Sequence, residues 1–366
     1  MIRFETNTEQ FYKAVLITSR FVERRPNLPT LSGILVAAEN GRLLLRSTNL
    51  ECGVELSLPA KAGGNGVVVI PAHTLLGFLS NVKSKSVTVS QRGELITIES
   101  ERMIASMRTL PHEDFPTLPH VSASTSFSTK TVDIMRALKS VAYCASTSTV
   151  KPELQSVLLY GEVGKLYAVA TDSFRLAEKV IPLRTSGSVP HMLFPARNAT
   201  EFIRILENNS GDIDIYYSEN QISSHVETVY FTSRLLDGSF PNYKQIVPKS
   251  FSTEAVVLRE DFAQALKALS VFADKFSHIS FSIEPSKKAL VLSARNPDIG
   301  EQTTTIHATV SGEAVSMSFN GRYLSESMQS ISGESIRIQS NGAGKAILIR
   351  DAVDTTFLYM AMPMNR

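Results

Sequence analysis

The 366-residue chain holds only two cysteines, no run of 18 apolar residues and almost no net charge, +2 at pH 7. Each shortage removes a class of protein. Cys52 and Cys144 have no second ligand at metal-site spacing, and two thiols cannot staple a chain this long. Their scarcity suits a reducing compartment, so a cytoplasmic location is expected. Without a long apolar stretch no membrane-spanning helix is expected. Met1-Ile2-Arg3-Phe4-Glu5 enters an alternating strand pattern directly and does not read as a signal peptide. The balance of 37 Lys and Arg against 35 Asp and Glu argues neither for nor against a polyanionic partner.

The usual catalytic constellations are missing as well. Gly63-Gly64-Asn65-Gly66 lacks the Lys-Ser/Thr pair of a phosphate loop and precedes a strand, so it reads as a flexible hairpin loop. The seven histidines show no i, i+4 pairing on a helix, and neither cysteine has a neighbouring base to activate it. No acidic pair is placed to hold two metals. An enzyme of nucleotide or DNA chemistry, working in a cleft between repeats, is the alternative reading. It would need a convergent set of acids, bases or ligands that the sequence does not offer. No cofactor is expected.

What the chain does contain is a repeat. Leu43-Leu44-Leu45-Arg46-Ser47-Thr48 returns 123 residues later as Leu166-Tyr167-Ala168-Val169-Ala170-Thr171, and after another 123 as Ala289-Leu290-Val291-Leu292-Ser293-Ala294. A second marker follows in each copy: Val69-Ile70-Pro71, Leu193-Phe194-Pro195 and Ser318-Phe319-Asn320. Phe115-Pro116, Phe240-Pro241 and Met362-Pro363 close the copies. Three domains are therefore expected, at 1–121, 122–249 and 250–366.

Each copy predicts two amphipathic helices. Phe11, Val15 and Thr18, then Ile134, Leu138 and Val141, then Phe262, Leu266 and Leu269 mark the first. Leu75, Leu79 and Val82, then Ala199, Ile203 and Leu206, then Leu324, Met328 and Ile331 mark the second. Thr8, Ser128 and Asp261 are the expected caps. Alternating segments form a hairpin in each copy: 87–90 with 95–98, 213–216 with 221–224, and 336–339 with 346–349. The fold class is α+β: three tandem domains, each with two helices packed on antiparallel sheets. Six equivalent helices would share one surface, and would line a ring if the chain paired with its own copy. Lys13, Arg20, Lys130, Arg136, Lys139, Arg197, Arg204, Lys267 and Arg322 lie on or beside these helices, a modest excess over the acids there.

These residues converge on a family. The whole chain resembles the β subunit of bacterial DNA polymerase III, the sliding clamp. The resemblance is carried by Arg25-Pro26-Asn27-Leu28-Pro29, Ala170-Thr171-Asp172-Ser173-Phe174-Arg175-Leu176-Ala177, Asp237-Gly238-Ser239-Phe240-Pro241-Asn242-Tyr243, Phe319-Asn320 with Tyr323, and Met362-Pro363-Met364. It implies a clamp-domain fold forming half of a six-domain ring. It implies a head-to-tail homodimer that encircles duplex DNA, independent of sequence, and tethers the polymerase. The subunit would be non-catalytic, and a nucleotidyltransferase label would follow from holoenzyme membership alone.

The resemblance also implies a hydrophobic groove for short linear motifs. Leu154, Thr171, Ser173, Phe174, Arg175, Leu176, Pro241, Gln245 and Ile246 would form one wall. Asn320, Tyr323, Gly344, Ala346, Met360, Met362, Pro363 and Met364 would form the other. A Met-rich groove repacks around different partners. Those implied are the replicative polymerase α subunit, the clamp-loader δ subunit, translesion polymerases, mismatch-repair proteins and ligase. Duplex DNA would meet Arg25, His73, Arg136, Lys139, Ser148, Lys151, Arg197 and Arg204. Ser173-Phe174, Gln245 and the Asn365-Arg366 ending depart from the pattern of well-known members and would shift partner preference.

Overall fold

The computed structural model describes every residue except Met1, Arg24, Ser122 to Ser124, Ser186, Asn208, Asn365 and Arg366; the side chain of Ala62 is also outside it. Six α-helices are present among the described residues: α1 (Thr8–Thr18), α2 (Ala72–Leu79), α3 (Thr131–Val141), α4 (Ala196–Leu206), α5 (Arg259–Leu269) and α6 (Gly321–Ser327). The nine residues expected on the first-helix stripes are all buried. So are eight of the nine expected on the second, because i, i+4 and i+7 share one helix face. Val82 lies past the end of α2 and is half-buried.

The chain divides into two compact units, residues 1–132 with 201–235, and residues 133–200 with 236–366. It passes between them within α3, within α4 and after Leu235. The boundary thus cuts the middle sequence repeat, and the sheets explain why.

In the first unit a five-stranded sheet runs in the order Lys61–Gly64, Arg3–Asn7, Ser86–Arg92, Leu95–Glu99, Ile104–Arg108. An eight-stranded sheet runs Ser126–Lys130, Asp212–Tyr217, Gln221–Val226, Val229–Arg234, Cys52–Pro59, Arg42–Thr48, Gly33–Glu39, Gly66–Pro71. Its central seam pairs Phe231 with Val54, joining strands that are far apart in sequence. Phe4, Phe11, Val15, Ile34, Leu43, Val89 and Ile98 belong to one apolar core. Burying such side chains contributes about 1.5–3 kcal/mol each.

The second unit has a nine-stranded sheet in the order Val189–Pro195, Ser156–Glu162, Lys165–Thr171, Arg175–Pro182, Phe357–Ala361, Ile347–Asp351, Ser335–Ser340, Thr253–Leu258, Thr309–Gly312. A four-stranded sheet runs Gly300–His307, Ala289–Asn296, His278–Glu284, Val315–Asn320. Here the seam pairs Leu176 with Met360. Every pairing between these strands is antiparallel, including the three expected hairpins.

The expected caps are displaced. Asn7 caps α1, its Oδ1 accepting from the Gln10 N–H at 3.0 Å, while Thr8 is the first helical residue. Two capping residue types stand side by side there, and only the backbone selects between them. Ser128 lies in the strand Ser126–Lys130 and bonds Asp214 across the pair. Asp261 lies in the first turn of α5, where its carboxylate complements the helix dipole, and Leu258 occupies the cap. The Gly63–Gly66 segment is not a hairpin: Lys61–Gly64 pairs with Arg3–Asn7, and Gly66–Pro71 with the other sheet. Gly66 packs closely there: a Cβ would lie 3.0 Å from the Ile2 nitrogen.

One turn carries visible strain. The tip of the hairpin joining Ser156–Glu162 to Lys165–Thr171 is Val163-Gly164, with φ of 49° and 71°. The first repeat uses Asn40-Gly41 at φ of 51° and 75°. A β-branched residue is disfavoured in this left-handed region, and asparagine is tolerated. Val163 is 96 % exposed, so it offers no packing in return. Val163→Asn is expected to raise unfolding free energy by about 1 kcal/mol in denaturant titration, with an unchanged m-value.

Candidate peptide-binding groove

All the groove residues expected from sequence lie in the second unit, around the seam between Arg175–Pro182 and Phe357–Ala361. Leu176 faces Met360 across the seam, and Met360 faces Leu348 on its other side. These three join Leu158, Val169 and Leu358 in an apolar cluster against which Ala346 and Val247 pack. Beyond the last strand the chain is held by its backbone. The Met362 N–H donates to the Phe174 carbonyl at 2.8 Å and the Met364 N–H to the Ser318 carbonyl at 2.7 Å. Phe174, Ile246 and Met362 are 62 %, 57 % and 41 % exposed. Gly344, Pro363 and Met364 line a cavity of about 220 Å³ with Ser280, Ser316 and Ser318.

The turn bearing Phe174 is built by its neighbours. Asp172 Oδ1 accepts from the N–H groups of Phe174 and Arg175 at 2.9 and 3.0 Å, and the Thr171 hydroxyl donates to the Arg175 carbonyl at 2.6 Å. Ser173 sits at φ 79°, a conformation that glycine adopts without cost. Arg175 is 9 % exposed and each guanidinium nitrogen has a partner. It bonds Asp172 at 3.0 Å, the Tyr143 carbonyl at 2.7 Å and the Glu326 carboxylate, and lies 4.3 Å from the Tyr323 ring centre. Burial is the largest single influence and opposes the charge, but the Glu326 hydrogen bond and the neighbouring groups together outweigh it and hold Arg175 more firmly protonated than usual. Arg175 therefore braces the turn from a buried position, with all three of its nitrogens bonded within the chain. Burial also pushes the Cys144 thiol well up, leaving it unreactive.

The remaining expected residues fall into place unevenly. Asn320 caps α6, accepting from the Arg322 N–H at 3.0 Å. The Tyr323 carbonyl accepts from the Tyr359 hydroxyl at 2.7 Å. Leu154 is buried in the short turn Pro152–Gln155. Pro241, Gln245 and Ile246 are exposed on the segment that runs from Leu236 to Phe251. Sequence reasoning missed Val247 and Leu348, which pack in the cluster where Ile246 was expected. Leu348 carried a signal, since it stands two residues from the expected Ala346, the spacing that shares one face of an extended chain. The Asn365-Arg366 ending lies outside the described residues.

Of the residues expected to meet DNA, Arg25, His73, Arg136, Lys139, Ser148, Lys151, Arg197 and Arg204 are all exposed. Arg204 donates twice to Glu201, at 2.9 and 3.1 Å, and Arg20 lies 3.9 Å from the same carboxylate. Among the described residues no three His, Cys, Asp or Glu side chains converge to hold a metal. No helix among them is long and apolar enough to cross a membrane.

Three models of one family match the chain in order: DNA polymerase III beta subunit, N-terminal domain over residues 2–119, central domain over 129–242, and C-terminal domain over 244–365. The chain belongs to the DNA polymerase III β-subunit family. The beta sliding clamp of Synechococcus elongatus is 28 % identical over 359 residues, covering 95 % of each chain. That of Staphylococcus epidermidis is 23 % identical and covers all of both. Among solved structures, the sliding clamp of Bartonella birtlesii bound to griselimycin is 27 % identical with a TM-score of 0.94 over the full length of both chains. The Bacillus subtilis clamp is 24 % identical, again with a TM-score of 0.94. The expected clamp fold is therefore met, and membership in this family makes the chain a non-catalytic sliding clamp.

Proposed function

We propose that two copies close head-to-tail into a six-domain ring that encircles duplex DNA in the cytoplasm and keeps the replicative polymerase on its template. One observation carries this reading. Cys52–Pro59 and Arg175–Pro182 are the same strand of successive repeats, 123 residues apart, and each is met by a strand from the following repeat. The third copy of that strand, Gly300–His307, is a free sheet edge, and so is the first-repeat counterpart of the strands that meet it, Ile104–Arg108. A join used twice within the chain is thus left half-made at both ends. Exposed edges invite a partner strand, and each end displays apolar side chains: Met103 and Ile104 at one, Val271, Phe276 and Ile299 at the other. A heterologous contact repeated by two-fold symmetry closes on itself.

Enclosure needs only weak, mobile phosphate contacts, which suits the exposed Arg25, Arg136, Lys139, Lys151, Arg197 and Arg204 and the nearly neutral chain. His73 and Ser148 would supply neutral contacts beside them. The domains would run 1–121, 122–249 and 250–366. The groove around Leu176, Met360 and Met362 would receive short apolar motifs of the polymerase, clamp loader, translesion polymerases, mismatch-repair proteins and ligase. The griselimycin complex of a relative supplies a probe for it. Light scattering is expected to give a mass of about 80 kDa, twice the 40.1 kDa chain. A concentration-independent 40.1 kDa species would remove the ring and with it the topological mechanism.

A further inference from the structure

The segment from Leu236 to Phe251 packs Leu236, Phe240, Val247 and Phe251 against the Leu176–Met360 cluster of the nine-stranded sheet, and Pro241, Gln245 and Ile246 lie exposed along it. Its ends are tied by backbone: the Leu236 N–H donates to Leu193 at 2.9 Å, and the Ser252 N–H to Ser340 at 3.2 Å. Between them, among the described residues, no backbone hydrogen bond joins residues 237–249 to a strand. A single buried polar side chain pins the middle. Tyr243 is 5 % exposed, its hydroxyl donates to the Glu178 carboxylate, and it lies 2.6 Å from the Tyr160 hydroxyl. Since Tyr243 spends its proton on Glu178, Tyr160 donates to Tyr243, giving an ordered relay from Tyr160 through Tyr243 to Glu178. Lys244 adds a lighter outer tie, 3.2 Å from Glu162 and 5.0 Å from the Tyr160 ring centre.

The same tyrosine organises the wall. Its N–H donates to the Pro241 carbonyl at 2.7 Å, and its carbonyl accepts from Ile246 and Val247 at 3.0 and 3.3 Å. The short turn therefore wraps the groove-facing residues around one anchor, and Val247 is packed in the Leu176–Met360 cluster by it. Glu178 stands on Arg175–Pro182, two residues from Leu176 and so on the same face of the strand.

We infer that the Tyr160–Tyr243–Glu178 relay is the positioning device of the groove: it fixes the 237–249 strap as one wall and keeps the groove in its binding-competent form. This rests on the groove reading above. The three residues touch no ligand. They act by raising the fraction of molecules whose strap is seated, and apparent affinity scales with that fraction.

The test uses the full-length chain with griselimycin as probe and Tyr243→Phe as the variant, which keeps the buried ring and removes the hydroxyl. Amide hydrogen exchange in residues 238–249 of the free variant is expected to quicken about tenfold, with exchange in Ser156–Glu162 and Lys165–Thr171 unchanged. Griselimycin affinity should weaken by a similar factor. Glu178→Leu should reproduce both effects, and Glu178→Gln, which keeps an acceptor oxygen, should restore most of the affinity. A residue that merely stabilised the fold would lower the melting temperature and move neither readout. Griselimycin bound as tightly by Tyr243→Phe as by the unaltered chain would overturn the inference. Unaltered protein that fails to bind griselimycin would count against the groove itself, and strap exchange unchanged by Tyr243→Phe would then overturn the relay on its own.

Discussion

Ile104→Asp is expected to convert the proposed dimer of about 80 kDa into a monomer of 40.1 kDa without disturbing the fold. Ile104 is 71 % exposed in the single chain, on the edge strand Ile104–Arg108, so a carboxylate there stays hydrated in the monomer. In the ring it would face the edge Gly300–His307 and the apolar side chains of Val271 and Ile299, away from water. Stripping water from an unpaired carboxylate costs several kcal/mol, and about 3 kcal/mol after partial relaxation is a modest figure. The proposed ring would contain the contact twice, so the dimer would lose about 6 kcal/mol, or roughly four orders of magnitude in its dissociation constant. Sedimentation or light scattering at micromolar protein reads the change directly. A variant that stays dimeric while the unaltered chain is also dimeric would place the interface elsewhere.

The second large effect belongs to the groove. Phe174→Asp and Met362→Asp are each expected to weaken griselimycin binding at least a hundredfold in calorimetry while leaving the dimer mass unchanged. Both side chains are mostly or partly exposed in the free chain, 62 % and 41 %, so neither holds the core together. On binding, each would lose about 2 kcal/mol of apolar burial, and the new carboxylate would add a desolvation cost. A combined loss above about 3 kcal/mol exceeds two orders of magnitude. Their backbones are tied to each other through the Met362 N–H and the Phe174 carbonyl, so a local substitution does not release the tail. Undiminished affinity in both variants would move the ligand site off this surface.

Much of this could be read from local pattern. The repeat at 123 residues, the helical stripes and the hairpins survive in the sequence because each depends on spacing within a few residues. The errors have equally local causes. Asn7 and Thr8 compete for one cap, and the last extended backbone residue wins. Gly63 to Gly66 resembles a loop because the sequence does not reveal that two sheets claim its two halves.

The resemblance named a set of residues for the proposed groove but not how they are held together. Leu176 and Met360 were both expected there, yet their facing one another depends on a strand pairing that bridges 184 positions of chain. Arg175 was expected at the wall, whereas its partner Glu326, which helps hold the guanidinium in place, lies 151 positions away. Tyr243 stood in a recognisable string, but its role depends on Tyr160 and Glu178, which no spacing connects. The sequence alone determined the repeat and the apolar face of each helix, since hydrophobic periodicity acts over short range. Only the tertiary structure decided which strands join, which charges neutralise one another and which tyrosine pins the strap, because those are contests among distant groups for the same buried partners.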